Sequence, residues 1–383
     1  MKATIALTVL GALLASSVYA QDAEPIRIGV PVGLSGANSV VAPSVVQSAE
    51  LAVEEINAAG GVLGRQLVLE VADDASGAAG AQRAFDSLVY QKNVDVIISM
   101  ETSAARNAGL PIVTEGEVPY IYTSFYEGHS CNANLFVDAW VPEQQVPPVV
   151  DHFLQTEGAT KFFLIGSDYA FGRGMLEFAR KAIEAGSGTV VGEEYLPMDG
   201  SDWTAIVSNL KNSGADAVIT STAGGAPNVT LTKQLRGAGV VIPYANLAMD
   251  EGTAMSMGAE AAGIYISASY VTSIPTAENE AYKAALATKF GADIRTPNDL
   301  SVPQYDAIYL YKAAVELAGS TETAAVLEAL PQVSFTGPRG LVTMNNQHHA
   351  PLTMYLGQVQ GNGSVTVAAK FKNVSPGEQC PDL

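Results

Sequence analysis

The chain has 383 residues, with 39 acidic against 20 basic side chains and a formal net charge of −19. So negative a surface repels phosphate backbones, which excludes a nucleic-acid binder. The length suggests two domains, and an apolar share of 48% supplies each with a core.

The first residues read as an export signal. Lys2 precedes an apolar run over residues 5–15, and Val18-Tyr19-Ala20 stand before Gln21. This pattern predicts a secretory signal peptide over residues 1–20, cleaved after Ala20, because the run is too short to span a bilayer. No Cys follows the cut, which excludes a lipid anchor there, and a soluble periplasmic protein is expected. In such a compartment the two cysteines, Cys131 and Cys380, are expected to form a disulfide. Neither has a second ligand at metal spacing, so no metal site is expected.

In chain order, residues 26–32 predict a short apolar strand, Gly33 to Gly36 a turn, and residues 44–59 a helix. Val45, Ala49, Ala52, Val53 and Ile56 share one face of a 3.6-residue period, and Glu50, Glu54 and Glu55 point away. Gly60-Gly61 stops the helix before a strand over 66–72. A strand–helix–strand unit makes two parallel neighbours. Ligands bind beyond the carboxyl ends of such strands, which puts the turn containing Ser35 at the mouth of a site. A helix (80–91), a strand (94–99), a helix (103–115) and a strand (118–123) complete a doubly wound half. Pro142, Pro147 and Pro148 predict a crossing into a second half. That half has strands at 161–165, 189–195, 217–221, 244–248 and 264–269, with helices between them. Helices from Ala277 onward are expected to return to the first half, and strands 353–359 and 365–371 to cross to the second.

The expected fold is therefore α/β: two doubly wound Rossmann-like lobes, a ligand cleft between them and a three-segment hinge. Lobe 1 is expected over 21–144 and 274–345, lobe 2 over 145–273 and 346–371, and a C-terminal tail over 372–383.

The order and wording of the chain resemble the type I periplasmic solute-binding proteins of ABC importers, in the branched-chain amino acid, amide and urea branch. The resemblance rests on Ile28-Gly29-Val30-Pro31 with Gly33-Leu34-Ser35-Gly36, and on the run from Ala52 through Asn57-Ala58-Ala59-Gly60-Gly61 to Gly64. It continues through Asp73-Asp74, Thr102-Ser103-Ala104-Ala105, Val118-Pro119, Tyr126-Glu127-Gly128 and Gly166-Ser167-Asp168-Tyr169. Tyr305-Asp306-Ala307 and Gly337-Pro338-Arg339-Gly340 close the series, so the pieces span the mature chain in order. Tyr126-Glu127-Gly128 and His348-His349 look most like the amide- and urea-binding members.

Thr102-Ser103 at a helix start supply hydroxyls and free backbone N–H groups that favour an anion. The resemblance implies that this position grips the polar head of the ligand. Thr123 and Ser124 add hydroxyls at the next strand end, and Tyr126 adds an aromatic wall with a polar tip. From the second lobe come Tyr169, the stretch Thr222, Ala223 and Gly224, and an acid at Asp250 or Glu251. The resemblance implies that this acid holds an ammonium group. Glu101 is a departure, since a carboxylate there repels a ligand acid; we expect it to point into solvent. If it points inward, the ligand should be neutral or cationic.

The resemblance implies an ABC-importer receptor for a small solute, working as a monomer with an inner-membrane permease. A branched-chain or other aliphatic amino acid leads; a short amide, urea, a small aromatic acid or a sensor role are the alternatives. A hydrolase is disfavoured. Gly33-Leu34-Ser35-Gly36 lacks the spacing of a nucleophile elbow, and there is no phosphate-binding loop or Rossmann glycine pattern. No arrangement around the four His suggests a nucleophile–base pair. His348-His349 would face opposite ways on a strand, which argues against metal binding. No cofactor is implied.

Overall fold

A computed structural model describes residues 24–383. The predicted signal peptide lies outside these residues. The first lobe is built from β1 (Ile26–Val32), α1 (Ala42–Ala58), β2 (Leu67–Asp73), α2 (Ala78–Asp86), β3 (Val96–Ser99), α3 (Ser103–Glu115), β4 (Tyr120–Tyr122) and β5 (Leu135–Val137). Its five strands run parallel in the order β2-β1-β3-β4-β5. The interior strand β1 is apolar almost throughout because helices cover both faces of a parallel sheet. On α1 the expected stripe of Val45, Ala49, Ala52 and Ile56 is buried, while Val53 sits at its margin. Gly61 ends this helix at a positive φ of 78°, and a Cβ there would lie 2.0 Å from the Arg65 carbonyl.

The second lobe follows with α4 (Pro142–Gln155), β6 (Lys161–Ser167), α5 (Ala170–Ala185), β7 (Thr189–Leu196) and α6 (Thr204–Asn212). It continues through β8 (Ala217–Ser221), α7 (Ala226–Gly237), β9 (Tyr244–Asn246), α8 (Glu251–Met257) and β10 (Ile264–Ala268). The prolines expected to mark a crossing instead belong to α4. Pro142 occupies its first turn, where no N–H partner is lost, and Gln144 Oε1 accepts from the Val141 N–H at 3.1 Å. Pro147 and Pro148 stand inside that helix.

From β10 the chain passes to α9 (Ala277–Phe290), α10 (Ser301–Ala318), α11 (Thr323–Ala329) and the hairpin β11 (Ser334–Gly337) and β12 (Gly340–Thr343). That hairpin is absent from the sequence reading. Helix α10 packs on α1, and Ser48 meets the Tyr282 hydroxyl at 2.7 Å. Finally β13 (Leu352–Val359) and β14 (Val365–Val374) add two antiparallel strands to the second sheet, whose order is β14-β13-β10-β9-β8-β6-β7. Cys131 and Cys380 form a disulfide across 249 positions of sequence, with Cα atoms 5.5 Å apart.

The chain passes between the two sheets after β5, after β10 and after β12. A buried ionic cluster ties these passages together. Arg339, at the tip of the β11–β12 hairpin, donates to Asp138 beyond β5 and to Asp306 on α10, the latter at 2.7 Å. Its third nitrogen reaches Ser269 Oγ, beyond β10, at 3.3 Å. Asp299 accepts from the Trp140 indole at 2.6 Å and from the Ser269 N–H at 3.0 Å.

Candidate ligand-binding site

The carboxyl ends of β3 and β4 in the first lobe face those of β6 and β8 in the second. The two lobes touch along this seam. A Cβ on Gly225 would sit 2.4 Å from the Ala37 carbonyl, and one on Gly174 would sit 2.6 Å from Glu127 Cβ. This is a closed arrangement, and it leaves a narrow cavity of about 30 Å³ between the lobes. The first lobe lines it with Asn38, Met100, Glu101, Thr102, Ser103, Tyr122, Ser124 and Phe125, and the second with Tyr169, Phe171 and Gly224; Leu300 closes the side nearest α10.

One end of the cavity is polar. Thr102 caps α3, its hydroxyl oxygen accepting from the Ala105 N–H at 3.1 Å. The N–H groups of Ser103 and Ala104, in the first turn, have no backbone acceptor among the described residues. They carry the partial positive charge of the helix end. The Ser103 hydroxyl donates to Glu127, which in turn accepts from Arg106 at 2.7 Å. Arg106 is buried between the rings of Tyr122 and Tyr126, its guanidinium carbon 5.1 and 4.6 Å from their centres.

Glu101 departs from expectation. Instead of pointing into solvent it is 1% exposed. Oε2 accepts from the Tyr120 hydroxyl, the Tyr122 hydroxyl donates to the Glu101 carbonyl at 2.7 Å, and Oε1 has no partner. Burial and the neighbouring Asp74 carboxyl push its pKa well above the usual range, because a lone charge in an apolar wall is poorly solvated. Asp74 is itself pushed up to about 6 by burial, against the pull of the Ser76 N–H.

The other walls are aromatic and apolar. Phe125 stacks on Trp140 with ring centres 4.2 Å apart and meets Phe171 at 5.7 Å; Tyr169 lies 6.1 Å from Phe171. Burial, with Tyr122 and Glu127 of the first lobe close by, pushes the Tyr169 phenol pKa up.

Of the residues proposed from sequence, Thr102, Ser103, Ser124, Tyr169 and Gly224 come together here. The others are engaged elsewhere. The Ser35 N–H donates to Asp73 at 3.1 Å in an exposed turn. Thr123 donates to Gln304 at 2.8 Å, and Tyr126 is hydrogen-bonded to His349 at 2.6 Å behind the Arg106 guanidinium. Thr222 donates to Asn228, and the Ala223 N–H donates to Ser167. Asp250 caps α8, accepting from Thr253 N–H and hydroxyl. Glu251 accepts from Thr272 N–H at 2.6 Å, Thr272 hydroxyl at 2.9 Å and Val365 N–H at 3.1 Å. Both acids therefore spend their oxygens inside the second lobe and are absent from the cavity wall. Sequence reasoning missed Asn38, Met100, Tyr122, Phe125, Phe171 and Leu300 as wall residues. Phe125 and Phe171 stood in strand-end stretches that could have flagged them. Leu300 arrives from a distant helix and left no local signal.

Two facing α/β lobes with a cavity at their strand ends define a solute-binding receptor. The chain belongs to the periplasmic binding protein family, whose model it matches over residues 25–364. It is 30% identical over 327 residues to the Leu/Ile/Val-binding protein homolog 3 of Brucella melitensis, covering 82% of this chain and 84% of that one. It is 27% identical to the Leu/Ile/Val-binding protein BraC3 of Rhizobium johnstonii, covering 84% and 88%. The fold resembles that of an R. palustris ABC-transporter solute-binding protein solved with benzoate, with a TM-score of 0.84, 22% identity and coverage of 93% and 99%. It also resembles the branched-chain amino acid binding protein LivJ of Streptococcus pneumoniae solved with isoleucine, with a TM-score of 0.80, 24% identity and coverage of 90% and 98%.

Proposed function

We propose that this protein is the receptor of an ABC importer and captures a small solute with an apolar body and a compact polar head. The observation that carries the reading is the cavity itself. One end offers free N–H groups at the start of α3 and a carboxyl at Glu101; the rest is Phe125, Phe171, Tyr169, Met100 and Leu300. An aliphatic or aromatic amino acid, or a short amide, suits both ends. A small aromatic acid is the second reading, favoured by the ring-rich wall. The ligand touches the first lobe in an open form, and the second lobe closes over it by rotation about the Arg339 cluster. A membrane permease then recognises the closed monomer, and no bond is made or broken on the protein. None of the four His lines the cavity. Among the described residues, no helix is long and apolar enough to cross a membrane.

The test is a thermal-shift screen of refolded, ligand-free protein against branched-chain and aromatic amino acids, short amides, urea and benzoates. A ligand at 100 times its dissociation constant should add about 2.7 kcal/mol of stability. No stabilisation by any class would refute the reading.

A further inference from the structure

Resting on that receptor reading, we infer that Glu101 is the acceptor that selects a ligand whose head carries an N–H donor. In this site the first lobe would hold both the oxygen and the nitrogen of the head group. Four observations converge. Glu101 lines the cavity, is 1% exposed, and has one oxygen, Oε1, without a partner. Its other oxygen is fixed by Tyr120, and its carbonyl by Tyr122, so the carboxyl has little freedom to turn away. The free N–H groups that would receive a ligand oxygen belong to Ser103 and Ala104, the residues that follow it closely in sequence. An amino acid or a primary amide presents an oxygen acceptor and a nitrogen donor a bond or two apart, which suits adjacent partners of this kind.

The fourth observation concerns the alternatives. A second-lobe acid would be the obvious partner for an ammonium group, yet Asp250 is taken by Thr253 and Glu251 by Thr272 and Val365. No acidic residue of the second lobe lines the cavity. Arg106 is the nearby cation; its Nη2 donates to Glu127 and Asn107, while its Nη1 is buried without a partner between the Tyr122 and Tyr126 rings. Burial favours the protonated carboxyl in the empty site, and an N–H donor beside Oε1, above all a cationic one, favours the ionised acceptor and offsets the cost of its burial. The ligand is the group placed to do so. The rings of Tyr122, Phe125, Tyr169 and Phe171 line the same cavity, and aromatic faces attract a cationic head.

The experiment compares isosteric pairs by calorimetry on refolded protein: L-leucine against 4-methylpentanoate, and benzamide against benzoate. In at least one pair the nitrogen-bearing member should bind tenfold or more tightly than its acid. Glu101→Gln should erase or invert that preference. Its amide oxygen would keep the Tyr120 bond and turn an NH2 toward the ligand, raising acid affinity tenfold or more. Asp250→Asn should leave the preference intact. Equal or tighter binding of both acids by the native protein overturns the inference while sparing the receptor reading. So does a preference that survives Glu101→Gln but vanishes in Asp250→Asn. If none of the four compounds binds, the inference falls, and the receptor reading is decided by the wider thermal-shift screen. The native comparison decides the matter even where a variant fails to fold.

Discussion

At the hinge, Arg339 lies between Asp138 and Asp306, each 0% exposed, and hydrogen-bonds to both. In the cavity, some way along the same seam, Glu101 is just as buried and has no cation bonded to it. Both regions take carboxyl groups out of water; an ionised one costs several kcal/mol unless a partner restores the interaction, and without such a partner the pKa rises instead, as at Glu101. At the hinge the partner is built in, so the passages between lobes are tied into one unit. Asp138 and Asp306 each keep a second oxygen unpartnered, but their counter-charge is already in contact. In the cavity the missing partner is left for the solute to supply. A buried carboxyl whose counter-charge is built in holds a structure together; one without it marks where something else is expected to bind.

That contrast can be broken most severely at the hinge. Arg339→Met should strand two buried carboxyls and lower stability by about 3–5 kcal/mol. Denaturant unfolding at pH 7.5 measures it, and a loss under 1 kcal/mol would mean that the cluster is not what joins the passages.

A smaller effect is expected where the lobes meet. Gly174 lies in α5, and a Cβ there would press on Glu127 across the seam at 2.6 Å. Gly174→Ala should raise the helix propensity of the ligand-free lobe by about 1 kcal/mol. It should nevertheless weaken ligand binding tenfold, or about 1.4 kcal/mol. Calorimetry alongside thermal melts separates the two, and unchanged affinity would show that the liganded form does not close this far.

The smallest effect concerns the acid beside Glu101. Asp74 is held up at about 6, against an ordinary 3.8. A raised folded-state pKa contributes stability that is full below about 3.8 and is lost as the pH rises through about 6. The native protein should therefore lose stability relative to Asp74→Asn between pH 5 and pH 7.5. A difference in melting temperature that stays constant over that range would count against a raised Asp74.

Much of this molecule was legible in one dimension. The period of α1, the Gly60-Gly61 stop, the apolar runs of β1 and β6 and the hydroxyls at the start of α3 are local signals. Each records what a few neighbouring residues can do, and together they determined the alternating strand–helix grammar of both lobes. The cysteine pair was legible because only two Cys exist to meet. The folded chain alone could decide which side chains were already spoken for. Asp250 and Glu251 read as ligand partners, and the fold hydrogen-bonds them to Thr253, Thr272 and Val365; Tyr126 likewise meets His349. Glu101 read as a solvent-facing charge, since exposure is the usual fate of a glutamate. Its burial depends on Tyr120 and Tyr122, which reach it from the neighbouring strand. Hydrogen-bond saturation is a property of three-dimensional neighbours, often far apart in sequence, and no pattern within a segment encodes it.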